Sequence, residues 1–127
     1  MAKEKEVNHI VLFKVSKSAT KKQIDAFYKN LYKLKSKIKG IVSISGGENT
    51  SPENYKKGYT EGFIMKFKDK ASRDKYINHP EHLKFIKAYV DPIFPDGLVY
   101  DFWLDLDSVS ILSIAFSRLS LKESILK

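Results

Sequence analysis

The chain has 127 residues, of which 43% are hydrophobic, which is enough for one domain with a core of its own. It contains no cysteine, so disulfide and thiolate chemistry are excluded, and a reducing, cytoplasmic location is favoured. The net charge is +8, but the lysines are spread over helix-like surfaces and only two residues are arginine, so we expect no specific nucleic-acid partner. Neither a signal-peptide pattern nor a run of about 18 apolar residues is evident, so no membrane association is expected.

A strand and a long helix are predicted first. Residues 7–15 are rich in Val, Ile, Leu and Phe on both faces, which is typical of a strand inside a sheet. Thr20 and Gln23 have the spacing of a capping box, which predicts the start of a helix, and Gly40 predicts its end. Between them, apolar residues recur at helical spacing and leave the lysines outward: Ile24, Phe27, Tyr28, Leu31, Leu34 and Ile38.

Two further strands are predicted before the next helix. Residues 41–45 alternate in the manner of a half-buried strand, and Gly46 and Gly47 predict a bulge or bend after it. A polar loop follows. Residues 59–67 then mix aromatic side chains with Thr, Glu and Met, which predicts the third strand.

The second helical region is predicted in two pieces. Asp69 can cap a short helix over residues 73–78, and Pro80 suits the first turn of a second piece that covers residues 81–90. A turn-rich break follows, and residues 98–106 predict the fourth strand.

The predicted order is β-α-β-β-α-β, which is the split βαβ, ferredoxin-like arrangement of the α+β class. Helices then cover only one face of the sheet, and the other face carries Val, Phe, Tyr and Trp side chains that need cover. A second copy of the chain is the simplest cover, so a homodimer is expected.

The end of the chain has a pattern of its own. We expect a domain over residues 1–106 and a C-terminal extension over residues 107–127, in which five serines recur at intervals of three and four among apolar residues. This spacing predicts a helix that docks on its own domain or on a partner chain. A membrane-surface anchor is the alternative, but its polar face would carry serine and few cations.

Two of the three histidines lie close together, in the run from Tyr76 to His82. Groups that titrate near neutral pH are typical of a proton-transfer site. Structural alternatives are open: His79 can start a helix, His9 can be a satisfied, half-buried strand residue, and Tyr76 and His82 can be core residues. His79 and His82 lack a third ligand in a known pattern, so no metal site is predicted.

Several runs carry a family resemblance: Val-Asn-His-Ile-Val-Leu-Phe-Lys at 7–14, Gly-Tyr-Thr-Glu-Gly-Phe at 58–63, Phe-Lys-Asp at 67–69, Tyr-Ile-Asn-His-Pro-Glu-His-Leu-Lys-Phe at 76–85, and Val-Tyr-Asp-Phe at 99–102. On these runs the chain resembles the stress-responsive A/B barrel domain family of dimeric α/β-barrel proteins. The phrase Tyr-x-x-His-Pro-x-His is the most specific of them. The resemblance implies two ferredoxin-like subunits whose sheets close one barrel, with a pocket in each subunit between its sheet and its helices.

The resemblance also implies roles for particular residues. Tyr76 and His82 correspond to functional residues of the family motif, and His9 corresponds to a functional first-strand histidine. A third-strand pocket histidine of the family pattern falls on Glu61, which breaks the pattern and would pair with His9 or His82 if it lay near them. The expected pocket residues are Val11, Phe13, Phe27, Leu31, Glu61, Phe63, Met65 and His79.

Two functions are therefore open. The first is a dimeric barrel that binds a small hydrophobic molecule in its pocket, with the histidines structural. The second is a lyase of polyketide-cyclase type, which closes a ring by aldol-type condensation with His82 as the base and Tyr76 as the donor to the enolate oxygen. No cofactor is predicted. An apolar cavity of ligand size, with His82 and Tyr76 turned into it, would favour binding or chemistry over a purely structural role.

Overall fold

A computed structural model describes residues 5–104 of the chain. Its strands are β1 (Glu6–Lys14), β2 (Ile41–Glu48), β3 (Glu61–Phe67) and β4 (Asp96–Leu104). Its helices are α1 (Lys21–Lys37), α2 (Lys70–Ile77) and α3 (Pro80–Phe85), and a π-helical turn, Ile86–Val90, follows α3. The predicted order and the α+β, ferredoxin-like class are confirmed. The predicted C-terminal helix lies outside the described residues and stays a prediction.

The four strands form one antiparallel sheet in the order β2-β3-β1-β4. β1 is an internal strand, as its two apolar faces predict. Its residues Val7, His9 and Val11 are buried under the helices. Since directly opposed residues of neighbouring strands share a face, Val99 opposite Val11 and Asp101 opposite His9 also face the helix side.

The core lies between the sheet and the helices. The buried face of α1 is the one that the helical spacing predicts, and Phe27 and Leu31 on it are fully buried. Burial of a side chain of this size stabilises the fold by about 1.5–3 kcal/mol, so this face holds α1 on the sheet. The core consists of Val7, Val11, Phe27, Leu31, Leu34, Ile38, Ile41, Phe63, Met65, Phe67, Tyr76, Phe85, Ile93 and Phe94.

The two ends of α1 follow from its sequence. The Thr20 hydroxyl accepts a hydrogen bond from the Gln23 backbone at 3.1 Å, and the Gln23 side chain accepts one from the Thr20 backbone at 2.9 Å. The predicted capping box is thus confirmed. Gly40, just beyond the helix, has φ of +92°, and a Cβ on it would lie 2.4 Å from Cβ of Ser72. Glycine is needed here both for the left-handed backbone and for the close approach of α2.

The predicted bulge at Gly46 and Gly47 is wrong. β2 continues through both glycines to Glu48, and its register shift lies near the start of the strand, between Ile41 and Ser43. Gly46 has a different reason to be glycine: a Cβ on it would lie 2.6 Å from Cβ of Phe63 on the neighbouring strand.

A break separates α2 from α3. The Asp69 carboxylate accepts a hydrogen bond from the Ser72 backbone at 2.8 Å and starts α2 three residues earlier than the predicted position. His79 Nδ1 accepts one from the Glu81 backbone at 3.1 Å, and Pro80 is the first residue of α3. The chain therefore changes direction between two separately capped helices.

The piece predicted as one helix over residues 81–90 is divided. α3 ends at Phe85, and the backbone then widens into the π-helical turn, closed by a 2.9 Å hydrogen bond from the Asp91 amide to the Ile86 carbonyl. Such turns are rare and occur frequently at functional sites. Ile86 and Val90, the first and last residues of this turn, both line the cavity described below.

The face of the sheet opposite the helices carries exposed apolar side chains. Four of them are between 41% and 61% exposed: Ile64, Leu98, Tyr100 and Phe102. In the part of the chain that the structure describes, no helix covers this face of the sheet. Within residues 5–104, no helix is long and apolar enough to cross a membrane.

Candidate functional site

A cavity of about 390 Å³ lies between the helix-side face of the sheet and the α2–α3 region. Its wall is mostly apolar, with four polar side chains among the lining residues. Those residues are His9, Val11, Phe13, Phe63, Tyr76, Ile77, His82, Phe85, Ile86, Val90, Val99 and Asp101. The structure therefore brings all three residues predicted to be functional, His9, Tyr76 and His82, to the wall of one cavity.

Tyr76 and His82 are stacked on each other. Their ring centroids lie 3.9 Å apart, with an angle of 23° between the ring planes. Tyr76 belongs to the last turn of α2 and His82 to the start of α3, so the break between the helices folds one ring over the other. Sequence spacing alone could not place them together, because two residues on either side of a helix break share no fixed face.

His82 is held as a neutral imidazole. Its Nδ1 lies 3.0 Å from the carbonyl oxygens of Tyr76 and Ile77, and because carbonyls only accept, Nδ1 carries the proton. Desolvation by burial lowers the pKa of His82, and the two carbonyl contacts offset part of this effect. No group within residues 5–104 hydrogen-bonds to Nε2, whose lone pair is thus free to accept a proton or a hydrogen bond.

Tyr76 is held as a neutral phenol. The residue is 1% exposed, and burial raises the pKa of its hydroxyl above the usual tyrosine value. The hydroxyl remains protonated at neutral pH and is a hydrogen-bond donor. Its ring also lies edge-on to His9, with the two centroids 5.8 Å apart.

His9 is the end of a chain of charged contacts. Its Nδ1 lies 2.7 Å from Asp101 Oδ1, and Arg73 Nη1 donates to Asp101 Oδ2 at 2.6 Å. Arg73 also donates from Nε to Asp74 at 2.9 Å. These contacts join β1, β4 and α2 beside the cavity, and they give His9 a built environment that a merely half-buried strand histidine would not need.

Five of the eight expected pocket residues do not line this cavity, and three of the five are core residues of α1 and β3. Phe27, Leu31 and Met65 are fully buried in the core instead. The reason is the position of α1, which packs towards β2, whereas the cavity lies under α2 and α3 beside β4. Val11, Phe13 and Phe63, by contrast, lie on the cavity wall as expected.

Glu61 does not pair with either histidine. Its carboxylate accepts a hydrogen bond from the Tyr28 hydroxyl of α1 at 2.8 Å, and Glu61 is not among the residues that line the cavity. Desolvation raises the pKa of Glu61, with a further contribution from the nearby Glu48, and the Tyr28 hydrogen bond opposes it. The carboxylate that breaks the family pattern thus has its hydrogen-bond donor on α1, the Tyr28 hydroxyl, and it adds no charge to the cavity wall.

His79 has the structural role that was left open for it. Its Nδ1 accepts the Glu81 backbone hydrogen bond at the start of α3, and it is not among the residues that line the cavity. It therefore belongs to the scaffold that sets the position of His82, three residues further along the chain.

Several lining residues were missed by sequence reasoning: Ile77, Phe85, Ile86, Val90, Val99 and Asp101. For Asp101 a signal existed, since an aspartate in an apolar strand opposite a histidine-bearing strand is unusual. To predict that Asp101 meets His9, one must know the register between β1 and β4, which the sequence alone does not give. The described residues contain no group of three or more His, Asp or Glu placed to hold a metal ion.

Comparison with known proteins agrees with this geometry. Residues 7–104 match the family described as the stress responsive A/B barrel domain. The chain belongs to this family. The resemblance stated from the motifs is thereby confirmed, over nearly the whole described part of the chain.

Individual relatives of this A/B barrel protein are distant. Olivetolic acid cyclase of Cannabis sativa is 26% identical over 83 residues, which are 65% of this chain and 82% of the relative. A dimeric ferredoxin-like protein of unknown function from Jannaschia sp. is 25% identical with a TM-score of 0.67, over 76% of this chain and 97% of that one. Hydroxynitrile lyase from Passiflora edulis, at 21% identity, has a TM-score of 0.72 over 80% and 95% of the two chains and shares the fold alone.

Proposed function

We propose that this A/B barrel protein binds a small, largely apolar molecule with a hydroxyl or carbonyl group in the cavity between its sheet and its helices. The observation that supports the proposal is the stacked pair of Tyr76 and His82 on a mostly apolar wall. Polar groups at such depth normally have hydrogen-bond partners, and a ligand oxygen would supply one. The volume of about 390 Å³ lies within the range of small-molecule sites.

The character of the wall favours a neutral ligand. His82 is neutral, Tyr76 is protonated, and the charge of Asp101 is offset by Arg73. An ionised ligand would lose its hydration in a cavity of this kind without a full ionic partner, at a large cost in free energy. A ring or short chain with one or two uncharged oxygen atoms fits this environment.

Calorimetric titration with 4-propylphenol tests the proposal, with 4-propylanisole as the matched ligand whose oxygen cannot donate. We expect the phenol to bind about threefold to tenfold more tightly than the anisole, which is the value of one hydrogen bond. His82→Phe should remove this preference, because the phenyl ring keeps the stacking on Tyr76 but has no nitrogen to accept the phenol hydrogen bond. Tyr76→Phe, which keeps the ring, should weaken binding of both ligands if the Tyr76 hydroxyl donates to the ligand oxygen.

The control for Tyr76→Phe is Tyr55→Phe, the same chemical change at a loop residue that is 75% exposed. It should leave both affinities at the wild-type values. If neither ligand binds the folded protein at millimolar concentration, the result contradicts the proposal for this ligand class.

The second candidate function is a lyase of cyclase type at the same site. Two observations favour it: burial keeps the His82 imidazole neutral with a free Nε2, and burial keeps the Tyr76 phenol protonated beside it. His82 Nε2 would remove a proton from the carbon next to a carbonyl, and the Tyr76 hydroxyl would donate to the enolate oxygen. The enolate carbon would then attack a second carbonyl carbon of the same chain, which closes the ring as the C=O π bond breaks, and the proton on His82 Nε2 would pass to the new alkoxide oxygen. The similarity to olivetolic acid cyclase supports this candidate.

This candidate is tested with a linear poly-β-keto thioester, with product analysis by mass spectrometry against a protein-free control. Ring-closed product above the spontaneous rate is the expected outcome. The rate should fall about 100-fold or more in His82→Gln, since a positioned general base contributes on this order. Equal product with and without protein, in a preparation that binds 4-propylphenol, would leave binding alone as the function.

We further propose that the protein works as a homodimer joined through the exposed sheet face. The support is the row of apolar side chains on that face and the description of the Jannaschia relative as dimeric. The helix-side cavity would then stay open in each subunit, because the interface uses the opposite side of the sheet.

A further inference from the structure

Arg73 is the least expected member of the polar cluster beside the cavity. It does not line the cavity, yet its guanidinium donates to Asp101 Oδ2 at 2.6 Å, and Asp101 Oδ1 lies 2.7 Å from His9 Nδ1. The three side chains are only 16%, 22% and 11% exposed for Arg73, Asp101 and His9, so water screens them weakly. The carboxylate of Asp101 thus has two partners, one on each oxygen.

We propose that Arg73 is a positioning residue that acts through Asp101 on His9, and that it holds this imidazole neutral with the proton on Nδ1 and the Nε2 lone pair available to the cavity. His9 then becomes a second hydrogen-bond acceptor beside His82. The consequence for ligand choice rests on the proposed function, whereas the protonation of His9 does not.

Charge balance is the physical reason. An ionised aspartate alone beside a histidine favours the doubly protonated imidazolium, because opposite charges attract strongly where water is scarce. A guanidinium on the second carboxylate oxygen offsets that attraction, since the positive charge of Arg73 opposes a second positive charge on His9. The carboxylate still accepts the Nδ1 hydrogen and so fixes which ring nitrogen carries it.

Within residues 5–104, Asp101 is the one charged side chain that forms an ion pair with His9. The titratable or charged groups that face it are Asp101 on β4, Arg73 and Tyr76 on α2, and the neutral His82 on α3. β3 faces His9 with the uncharged side chains of Phe63 and Phe67, at ring-centroid distances of 6.1 Å and 6.0 Å, and of Met65, which is directly opposite His9 in the register.

The two acceptors favour a particular ligand. The His9 and His82 rings both adjoin Tyr76, with centroid distances of 5.8 Å and 3.9 Å, so two acceptor nitrogens and one donor share a small part of the wall. A molecule with two hydroxyl groups on one ring can donate to both nitrogens. We therefore expect 4-propylresorcinol to bind about threefold to tenfold more tightly than 4-propylphenol, which lacks the second hydroxyl.

The decisive experiment is a pH series of long-range proton–nitrogen NMR spectra of the His9 ring, recorded on the full chain without ligand. Wild type should show the proton on Nδ1 at neutral pH. In Arg73→Met the ring should become doubly protonated at a higher pH than in wild type, whereas Arg73→Lys, which keeps the charge, should stay close to wild type. Asp74→Asn removes the other partner of Arg73 and is the matched control, with an expected wild-type spectrum.

The ligand pair gives an independent measurement. Arg73→Met should lose the preference for 4-propylresorcinol at neutral pH, and Asp74→Asn should keep it.

An Arg73→Met protein with the wild-type His9 spectrum would overturn the proposal, and the role of Arg73 would then be to hold α2 against β4. If Arg73→Met does not fold, Arg73→Gln serves instead, because it removes the positive charge but keeps a polar side chain: we expect the same shift to double protonation at a higher pH, and a wild-type His9 spectrum would overturn the proposal. Failure of both ligands to bind would count against the proposed function, while the NMR result would still decide the role of Arg73.

Discussion

At the scale of single residues, the burial of His82 has a consequence for stability. Because its pKa is lowered in the folded protein, the unfolded chain takes up a proton at residue 82 when the pH falls below about 6.5, and the folded protein resists this uptake. The unfolded state then binds more protons, so the free energy of unfolding falls as the pH is lowered. The neighbouring His9 and His79 lower the pKa of His82 further.

We therefore predict that the stability difference between wild type and His82→Gln depends on pH. Between pH 8 and pH 5 the difference should move in favour of the variant, by at most about 1.4 kcal/mol for each pH unit. Urea unfolding of both proteins across this range measures it, and titrating groups far from residue 82 cancel in the difference. A constant difference over the whole range would show that His82 titrates alike in the folded and unfolded chains.

The residues of the site were predictable only in part. The cluster of Tyr76, His79 and His82 could be recognised in the sequence, since the chain has only three histidines. Which of them would line a cavity was not, because a single capping hydrogen bond assigns His79 to the scaffold. Arg73 gave no local signal, and the unusual aspartate at position 101 gave no indication of its partners. Their meeting depends on the β1–β4 register and on where α2 crosses the sheet, which are properties of the whole fold.

At the scale of elements, the start of α3 controls the position of His82. His79 Nδ1 accepts the Glu81 amide, and His82 lies within the first turn that this cap stabilises. We predict that His79→Ala lowers the free energy of unfolding by about 0.5–2 kcal/mol, and that His79→Asp, which restores an acceptor at the cap, recovers most of the loss. Urea unfolding at neutral pH measures both. Equal losses in the two variants would mean that the cap contributes nothing and that the imidazole acts by packing.

The elements themselves were largely predictable, for local reasons. The capping box of α1 and the aspartate cap of α2 depend on residues three positions apart, which a sequence displays directly. The widening of the chain at Ile86–Val90 was missed, because a π-helical turn and an α-helix share nearly the same apolar spacing. The bulge predicted at Gly46 and Gly47 was wrong for a different reason. Gly46 is glycine because a side chain there would clash with Phe63 on the neighbouring strand, and this contact is not visible in the sequence.

At the scale of the whole molecule, the two faces of the sheet differ in how far they are covered. Helices cover the face that holds His9 and Asp101, and the other face is left with Ile64, Tyr100 and Phe102 exposed. A stable interface between two proteins buries about 800 Å² on each partner, which is the scale of one sheet face of this size. Apolar area of this kind is stabilising only when it is removed from water, so the proposed dimer would gain free energy by covering this face.

We accordingly predict that Tyr100→Glu converts a dimer into a folded monomer. Tyr100 is 61% exposed on the open face, and a carboxylate there would be buried without a partner in the dimer but hydrated in the monomer. The matched control is Tyr55→Glu, the same change in a loop outside the sheet, which should leave the dimer intact. Analytical ultracentrifugation at micromolar concentration measures the mass, and far-UV circular dichroism checks the fold. A monomeric wild type, or a Tyr100→Glu variant that keeps the dimer mass, would show that this face does not join two copies of the chain.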